Sequence, residues 1–320
     1  MVELRADPWM PTHGAGAEAS FEDEGTSAVV DPEVETSDWS RPLAPPPGPE
    51  EAFCFVDGVM RIDLRVMARD GDRRAWGLLG SYAAGGVRCD GRAGFVAEDA
   101  GIGRVMVLGG RISAPPLTVT VGNAELSYEP RCLAGDLPAS QREALQRLML
   151  QAEQRVALRL SEDHLVFADG PLHLNSGPNA EVVGVVKRMV TAYLNGGHAA
   201  LLGSLEPGQR TPLFALGNSV LDRYAWYLRL LPRHPAWHDL AGLVRCDVRM
   251  ELGLERARAI ADRVCCLLPA FAGRPGIDPR APQNLTPVGA LETRLKHRMG
   301  SATVVRRALQ AHLSEALGHA

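Results

Sequence analysis

The sequence lacks several features that would assign it quickly. No apolar run approaches the ~18 to 20 residues a membrane-spanning helix needs. The N-terminus "MVELRADPWMPTHGAGAEAS" has neither a basic stretch followed by an apolar one nor an Arg-rich, acid-poor character. An export or transit signal is therefore not expected, and the cytoplasm is the expected location. The six cysteines, at 54, 89, 132, 246, 265 and 266, include no C-x-x-C pair, which argues against a zinc ribbon or a disulfide framework. No G-x-x-x-x-G-K-[ST] loop occurs, and "GIGRVM" lacks the last glycine of a dinucleotide fingerprint, so the chain is not expected to hydrolyse nucleotides itself. No internal repeat is present.

What remains is a chain of 320 residues, 46% hydrophobic, enough for one large core or two modest ones. Its net charge of -4 hides an asymmetry: residues 1–50 hold eleven Asp and Glu against two Arg, and the rest holds 32 basic against 27 acidic residues. The acidic segment ends in "APPPGPEE" and has no periodicity, so residues 1–50 read as a disordered tail and 51–320 as the folded domain. The mildly basic body favours a polyanionic partner.

From Ala52 the pattern predicts successive strands in "AFCFVDG", "VMRIDLRVMAR" and "WGLLGSYAAGGVRC", then "GRVMVLGGRI" and "LTVTVGNAELSYEP". Ser140 to Leu160 has no Gly or Pro and carries an apolar stripe at three- and four-residue steps, which predicts a helix with Glu153 beside the stripe. The buried-strand pattern "LVFADG" follows. "EVVGVVKRMVTAYLN" then reads as a strand passing into a helix at Lys187. Strands are expected in "TPLFALG", "RYAWYLRLL" and "GLVRCDVRMEL", and two closing helices over Glu255–Phe271 and Val288–Leu317.

Two of these strands end in Asp-Gly, at Asp57 and Asp169. Asp-Gly is a hairpin signal. It is also what a metal site needs at a strand end: a carboxylate, followed by a residue with no Cβ to obstruct a ligand. Glu153 is the helical acid between them, with Glu143 and Glu162 as rivals. Mg²⁺ and Mn²⁺ prefer oxygen ligands, and paired cations clamp both oxygens of an in-line phosphodiester displacement. Three strands, a helix and a fourth strand, each carboxylate on a different element, is the order of the ribonuclease H-like fold, an α/β fold with a mixed sheet flanked by helices.

The segments "FVDGVMRI", "LMLQAEQRVALRL", "LVFADGPL" and "VVGVVKRMVTAYL" together resemble the NurA nuclease family, from about Ala52 to the closing helix. The resemblance implies Mn²⁺- or Mg²⁺-dependent cleavage of DNA, a homodimer and a hexameric HerA-type ATPase as partner, with metal ligands Asp57, Glu153 and Asp169 and a phosphate-contacting Lys187. The family commonly has serine after each Asp-Gly, where this chain has Val59 and Pro171. It also uses late polar residues, typically including a histidine. "PQNLTPVGALETRLKHRMG" offers Asn284, Glu292 and His297, and His297 is assigned to the site.

Other features have plainer expectations. His234 and His238 in "HPAWH" read as loop residues, because Pro235 disfavours a helix displaying both. Asp63 reads as solvated, and Asp247 as a cross-strand partner of an arginine, with a fourth metal ligand as its alternative. Tyr193, Tyr224, Trp226 and Tyr227 read as packing residues. "VVRRAL" and "ETRLKHR" are either nucleic-acid contacts or ordinary charged helix faces. Two further readings stay open: a catalytically silent scaffold bound to an ATPase ring, and a nuclease acting on RNA or hybrids.

Overall fold

The computed structural model describes residues 2–6, 28–46, 48, 51–172, 180–188, 191–217, 221–235, 237–278, 281–282 and 284–318. Its centre is a meander of three long strands, β3 (Phe53–Asp70), β4 (Arg73–Asp90) and β5 (Arg92–Leu108), preceded by short β1 (Glu3–Ala6) and β2 (Val29–Asp31). Next come the hairpin β6 (Leu117–Val121) and β7 (Ala124–Cys132), and then helix α1 (Pro138–Leu160). β8 (Leu165–Asp169) and β9 (Val182–Val186) lead to the short α2 (Gly196–Ala200). β10 (Phe214–Gly217), β11 (Arg223–Arg229) and β12 (Leu243–Arg249) complete the sheet, and α3 (Leu254–Leu267), α4 (Thr286–Arg298) and α5 (Ala302–Gly318) follow.

The strands join in the order β2-β10-β11-β12-β9-β8-β3-β4-β5-β7-β6, with β1 also on β3. β3, β4 and β5 are antiparallel, whereas β8 lies parallel to β3 and β9 parallel to β8. The central order β5-β4-β3-β8-β9, with α1 as the crossover, is the ribonuclease H-like arrangement expected from the sequence. Among the described residues, no helix is long and apolar enough to cross a membrane.

The turn, however, is not at Asp57-Gly58. β3 runs straight through it, with Asp57 opposite Gly85 and Gly58 opposite Ala84. A later Asp-Gly makes the hairpin, at Asp70-Gly71, where Gly71 takes φ +61° and a Cβ would meet open space. Gly58 has a different task. A Cβ there would lie 2.9 Å from Met149 Cγ and 3.1 Å from Glu153 Oε2, so its absence lets α1 settle onto the strand. Gly80 and Gly86 on β4 do the same beneath Leu145 and Leu160. On that face Ala152 and Val156 of α1 pack against Val56, Ala84 and Val166. The opposite face carries Phe53, Phe55, Phe167 and Val185 and is covered by α3 and α4 through Ile260, Val264, Leu291 and Leu295.

Four further expectations need correction. Residues 1–50 are not wholly a disordered tail: Ala6 pairs with Val66, Val30 with Leu216, and Trp39 is buried against Tyr193 and Leu205. Composition missed this because one or two edge pairings leave no periodicity; residues 7–27 lie outside the described part. The segment after Lys187 does not pass directly into a helix, since residues 191–195 are irregular before the short α2. α3 ends at Leu267 and yields to a 3₁₀ turn, Leu268–Phe271, with Pro269 near its start. Val288–Leu317 is two helices, not one. α4 ends with Met299 and Gly300 donating to the Leu295 and His297 carbonyls, and Gly300, at φ +82°, turns the chain into α5.

The N-terminal segment also supplies an interior charge. Glu35 accepts from both Arg210 terminal nitrogens at 2.8 Å and from the Leu213 backbone N–H at 2.6 Å, with both side chains nearly inaccessible. Burial raises the Glu35 pKa, but the Arg210 guanidinium outweighs it and holds the carboxyl below its usual value. Its contribution is therefore present above the ordinary carboxylate pKa and lost as pH falls through the lower folded value. Glu35→Ala is expected to cost about 3 kcal/mol in urea unfolding at neutral pH, whereas exposed Glu33→Ala changes nothing; equal stability of the two variants refutes the anchoring role.

Candidate metal centre

The site follows from strand register. β3 and β8 pair in parallel from Phe53 opposite Leu165 to Val56 opposite Ala168. One residue further, Asp57, inside the long β3, stands abreast of Asp169 at the C-terminal end of β8. Partners across a sheet point to the same face, here the one covered by α4. Val288, Leu291 and Leu295 of α4 are buried against the sheet, and Glu292, at i+4 from Val288, sits at the edge of that stripe. Asp57, Asp169 and Glu292 each offer an oxygen, and the three oxygens lie within 4.8 Å of one another.

Asp57 is only 7% exposed, and its Oδ2 has no hydrogen-bond partner. Asp169 is held by Lys187, whose Nζ lies 2.7 Å from it and 3.4 Å from Asn284 Oδ1. Lys187 follows directly on β9, the neighbour of β8, and Val185 pairs with Asp169, so the lysine is delivered to the same strand ends. Buried Asn284 donates in turn to Asp278.

Glu153 arrives from the other side of the sheet. α1 covers the opposite face, and Glu153 is buried with Oε2 close to Gly58. It lines a small cleft with Asp169, Gln154 and Leu172. It lies outside the close trio, yet it feels the same charges. Burial first, then the Asp57 and Asp169 carboxylates, push Glu153 well above the carboxylate range, and Lys187 opposes them. Burial likewise leads for Asp57, followed by the Asp169 and Glu292 charges, with Lys187 again opposing.

The sequence therefore located Asp57, Asp169 and Lys187 at one locus, with Glu153 beside it. Glu143 and Glu162 are exposed and take no part. His297 does not join the trio: it is exposed on the last turn of α4, whose buried stripe runs through Leu291, Leu295 and Met299. Of the late polar residues, Glu292 completes the trio and Asn284 braces Lys187. The signal for Glu292 was present, an acid on the border of an apolar helical stripe, the same signal that singled out Glu153.

Other expectations resolve around this centre. Asp63 is not solvated; it is 1% exposed and bound by Arg61 Nε at 2.6 Å, Tyr128 Oη at 2.9 Å and Ser81 Oγ. It sits at a bulge between Ile62 and Leu64, on a face that α4 and α5 cover. Asp247 does pair with arginines, Arg245 at 2.9 Å and Arg223 at 3.4 Å. His234 and His238 lie outside helices, and Trp226, Tyr227 and Tyr193 are core residues, as expected. A broader cleft of about 660 Å³ opens at the far end of β8, where Arg256 and Arg263 are neutralised by Glu181 and Glu51.

The donor set fits a hard divalent cation: all oxygen, an excess of negative charge, and one buried oxygen with nothing to bind. Fold and centre together define a mixed α/β, ribonuclease H-like protein with a carboxylate cluster on its two central parallel strands. No protein-family model and no curated protein matches the chain.

The raised values fix a pH dependence. Without cation, the folded state keeps protons on Asp57 and Glu153 that the unfolded state releases at about pH 4. Stability must then fall as pH rises from there through the higher folded values. Asp57→Asn is expected to flatten that decline in urea unfolding with EDTA. Mn²⁺ should raise the melting temperature of the native chain more at pH 8 than at pH 5, and Asp57→Asn should abolish the rise. An undiminished Mn²⁺ shift in the variant removes Asp57 from the centre.

Proposed function

We propose that the chain is a divalent-cation-dependent nuclease that hydrolyses DNA phosphodiester bonds. The observation that carries this reading is the unpartnered, buried Oδ2 of Asp57 facing Asp169 and Glu292. Like charges gathered in a desolvated place are unfavourable, and Lys187 offsets only part of them, so a cation that joins them would be favoured. Asp57, Asp169 and Glu292 are the residues that would hold Mn²⁺ or Mg²⁺, with Glu153, buried beside Gly58, coupled to them through charge. When bound, the cation neutralises phosphoryl charge and activates water for in-line displacement.

The side chains divide the remaining work. Asp57 and Asp169 are fixed by strand pairing, so their oxygens need no reorganisation as substrate arrives. Lys187, 2.7 Å from Asp169, tempers the carboxylate charge before a phosphate enters and offers it a point charge afterwards. Val59 and Pro171, where the NurA family commonly has serine, leave no hydroxyl to share this task.

The NurA resemblance supports membership of that family, a homodimer and a HerA-type ATPase as partner. The absence of a phosphate-binding loop agrees with an external source of energy. Purified protein with Mn²⁺ is expected to degrade linear single-stranded DNA. Asp57→Asn and Glu292→Gln should each lower the rate by more than about 100-fold, on the scale of disrupted metal sites. Full activity in Asp57→Asn, or a wild-type chain inert on DNA but active on RNA or hybrids, defeats the proposal.

A further inference from the structure

Glu292 is the one acidic residue of α4. The rest of the exposed arc in the C-terminal half of this helix presents Arg294, Lys296, His297 and Arg298. Lys296 reaches back to Glu292 at 3.1 Å. The two arginines behave differently. Arg294 lies 4.9 Å and Arg298 5.9 Å from the centroid of the Phe95 ring on β5, so one ring holds two guanidinium groups.

Among the described residues, neither Arg294 nor Arg298 pairs with a carboxylate. Arg73, Arg88, Arg256 and Arg258 do, whereas exposed Arg74, Arg92, Arg131 and Arg147 likewise have no ion pair among the described residues, so what sets Arg294 and Arg298 apart is that they sit together on one helix beside Glu292. Like charges at i and i+4 of a helix oppose its stability. Cation–π attraction to the Phe95 ring offsets that repulsion and holds both guanidinium charges side by side. The helix is also clamped in place. Arg61 donates to the Gly300 carbonyl at 2.8 Å, and Arg104 to the Met299 carbonyl at 3.2 Å, at the C-terminal end where cations are favoured.

We propose that this outer face of α4, led by Arg294 and Arg298, holds the sugar–phosphate backbone of DNA as it approaches the carboxylates. The inference rests on the nuclease reading above and adds to it the surface that takes the substrate. Glu292 lies on one flank of the helix and the two arginines on the other, so the strand crosses α4. Phosphate recognition by planar guanidinium groups is independent of sequence, which suits a non-specific nuclease.

The test measures binding apart from cleavage. Fluorescence anisotropy of a labelled oligodeoxynucleotide and a matched oligoribonucleotide is followed in EDTA across a salt series. Arg294→Glu with Arg298→Glu is expected to weaken DNA binding by about tenfold or more and, for a single strand, to lower the salt slope by about 1.4. Arg294→Gln with Arg298→Gln, which keeps helix propensity, should show a smaller loss of the same kind. Phe95→Leu should weaken binding with both arginines intact. Arg73→Glu with Arg74→Glu, at the far β3–β4 hairpin, should leave affinity unchanged. Wild-type affinity and slope in both α4 double variants overturn the proposal, as does stronger binding of RNA than DNA or a wild-type chain that binds no DNA. Binding through α4 by a chain that does not cut DNA with Mn²⁺ sinks the nuclease reading and leaves this surface standing.

Discussion

The repulsion among carboxylates gathered where the end of β8 meets the middle of β3 is the constraint around which the rest of the structure is arranged. Asp57 is nearly inaccessible, and Asp169 and Glu292 approach it within 4.8 Å. Bringing them together opposes folding, so the arrangement persists only because stronger forces hold each element. The parallel pairing of β3 with β8 fixes two of the acids. A buried face of Phe53, Phe55 and Phe167, packed under α3 and α4, fixes the third. Lys187 offsets part of the charge and is itself braced by Asn284.

The two faces of the sheet contribute differently. On one, α1 lies close to β3 and β4 because Gly58, Gly80 and Gly86 leave room for Met149, Leu145 and Leu160. That approach carries Glu153 over Gly58, behind the cluster. On the other, α4 carries Glu292 on the edge of its buried stripe and a basic arc on its outside. Arg61 and Arg104 pin the end of α4, and the Asp63 network holds Arg61. The acidic centre and the basic helix face thus share one rigid support, the long β3–β4–β5 meander.

The second half of the chain extends the sheet rather than forming a separate layer. β12 pairs with β9, β11 with β12, β10 with β11, and β2 with β10. Arg210 joins these elements to the N-terminal segment through Glu35 and to α3 through Asp262. A buried arginine needs such partners, because an uncompensated charge in the interior is far costlier than a lost surface pair.

Local pattern by itself determined the long helix around Glu153, a strand through Asp57, the strand ending at Asp169 and the strand before Lys187, because periodicity is a property of neighbouring residues. It also carried the order of elements, and with it the ribonuclease H-like arrangement. Tertiary structure alone decided what each Asp-Gly does: Asp70-Gly71 turns the chain, whereas Asp57-Gly58 stays in the strand because α1 needs the space over Gly58. It likewise chose Glu292 over His297, since the rotation of α4 about its axis is set by which side chains the sheet buries. Nor could composition reveal that Asp63 is interior or that Glu35 anchors Arg210. Each depends on a partner far along the chain, and such a contact leaves no mark on the residues adjacent in sequence.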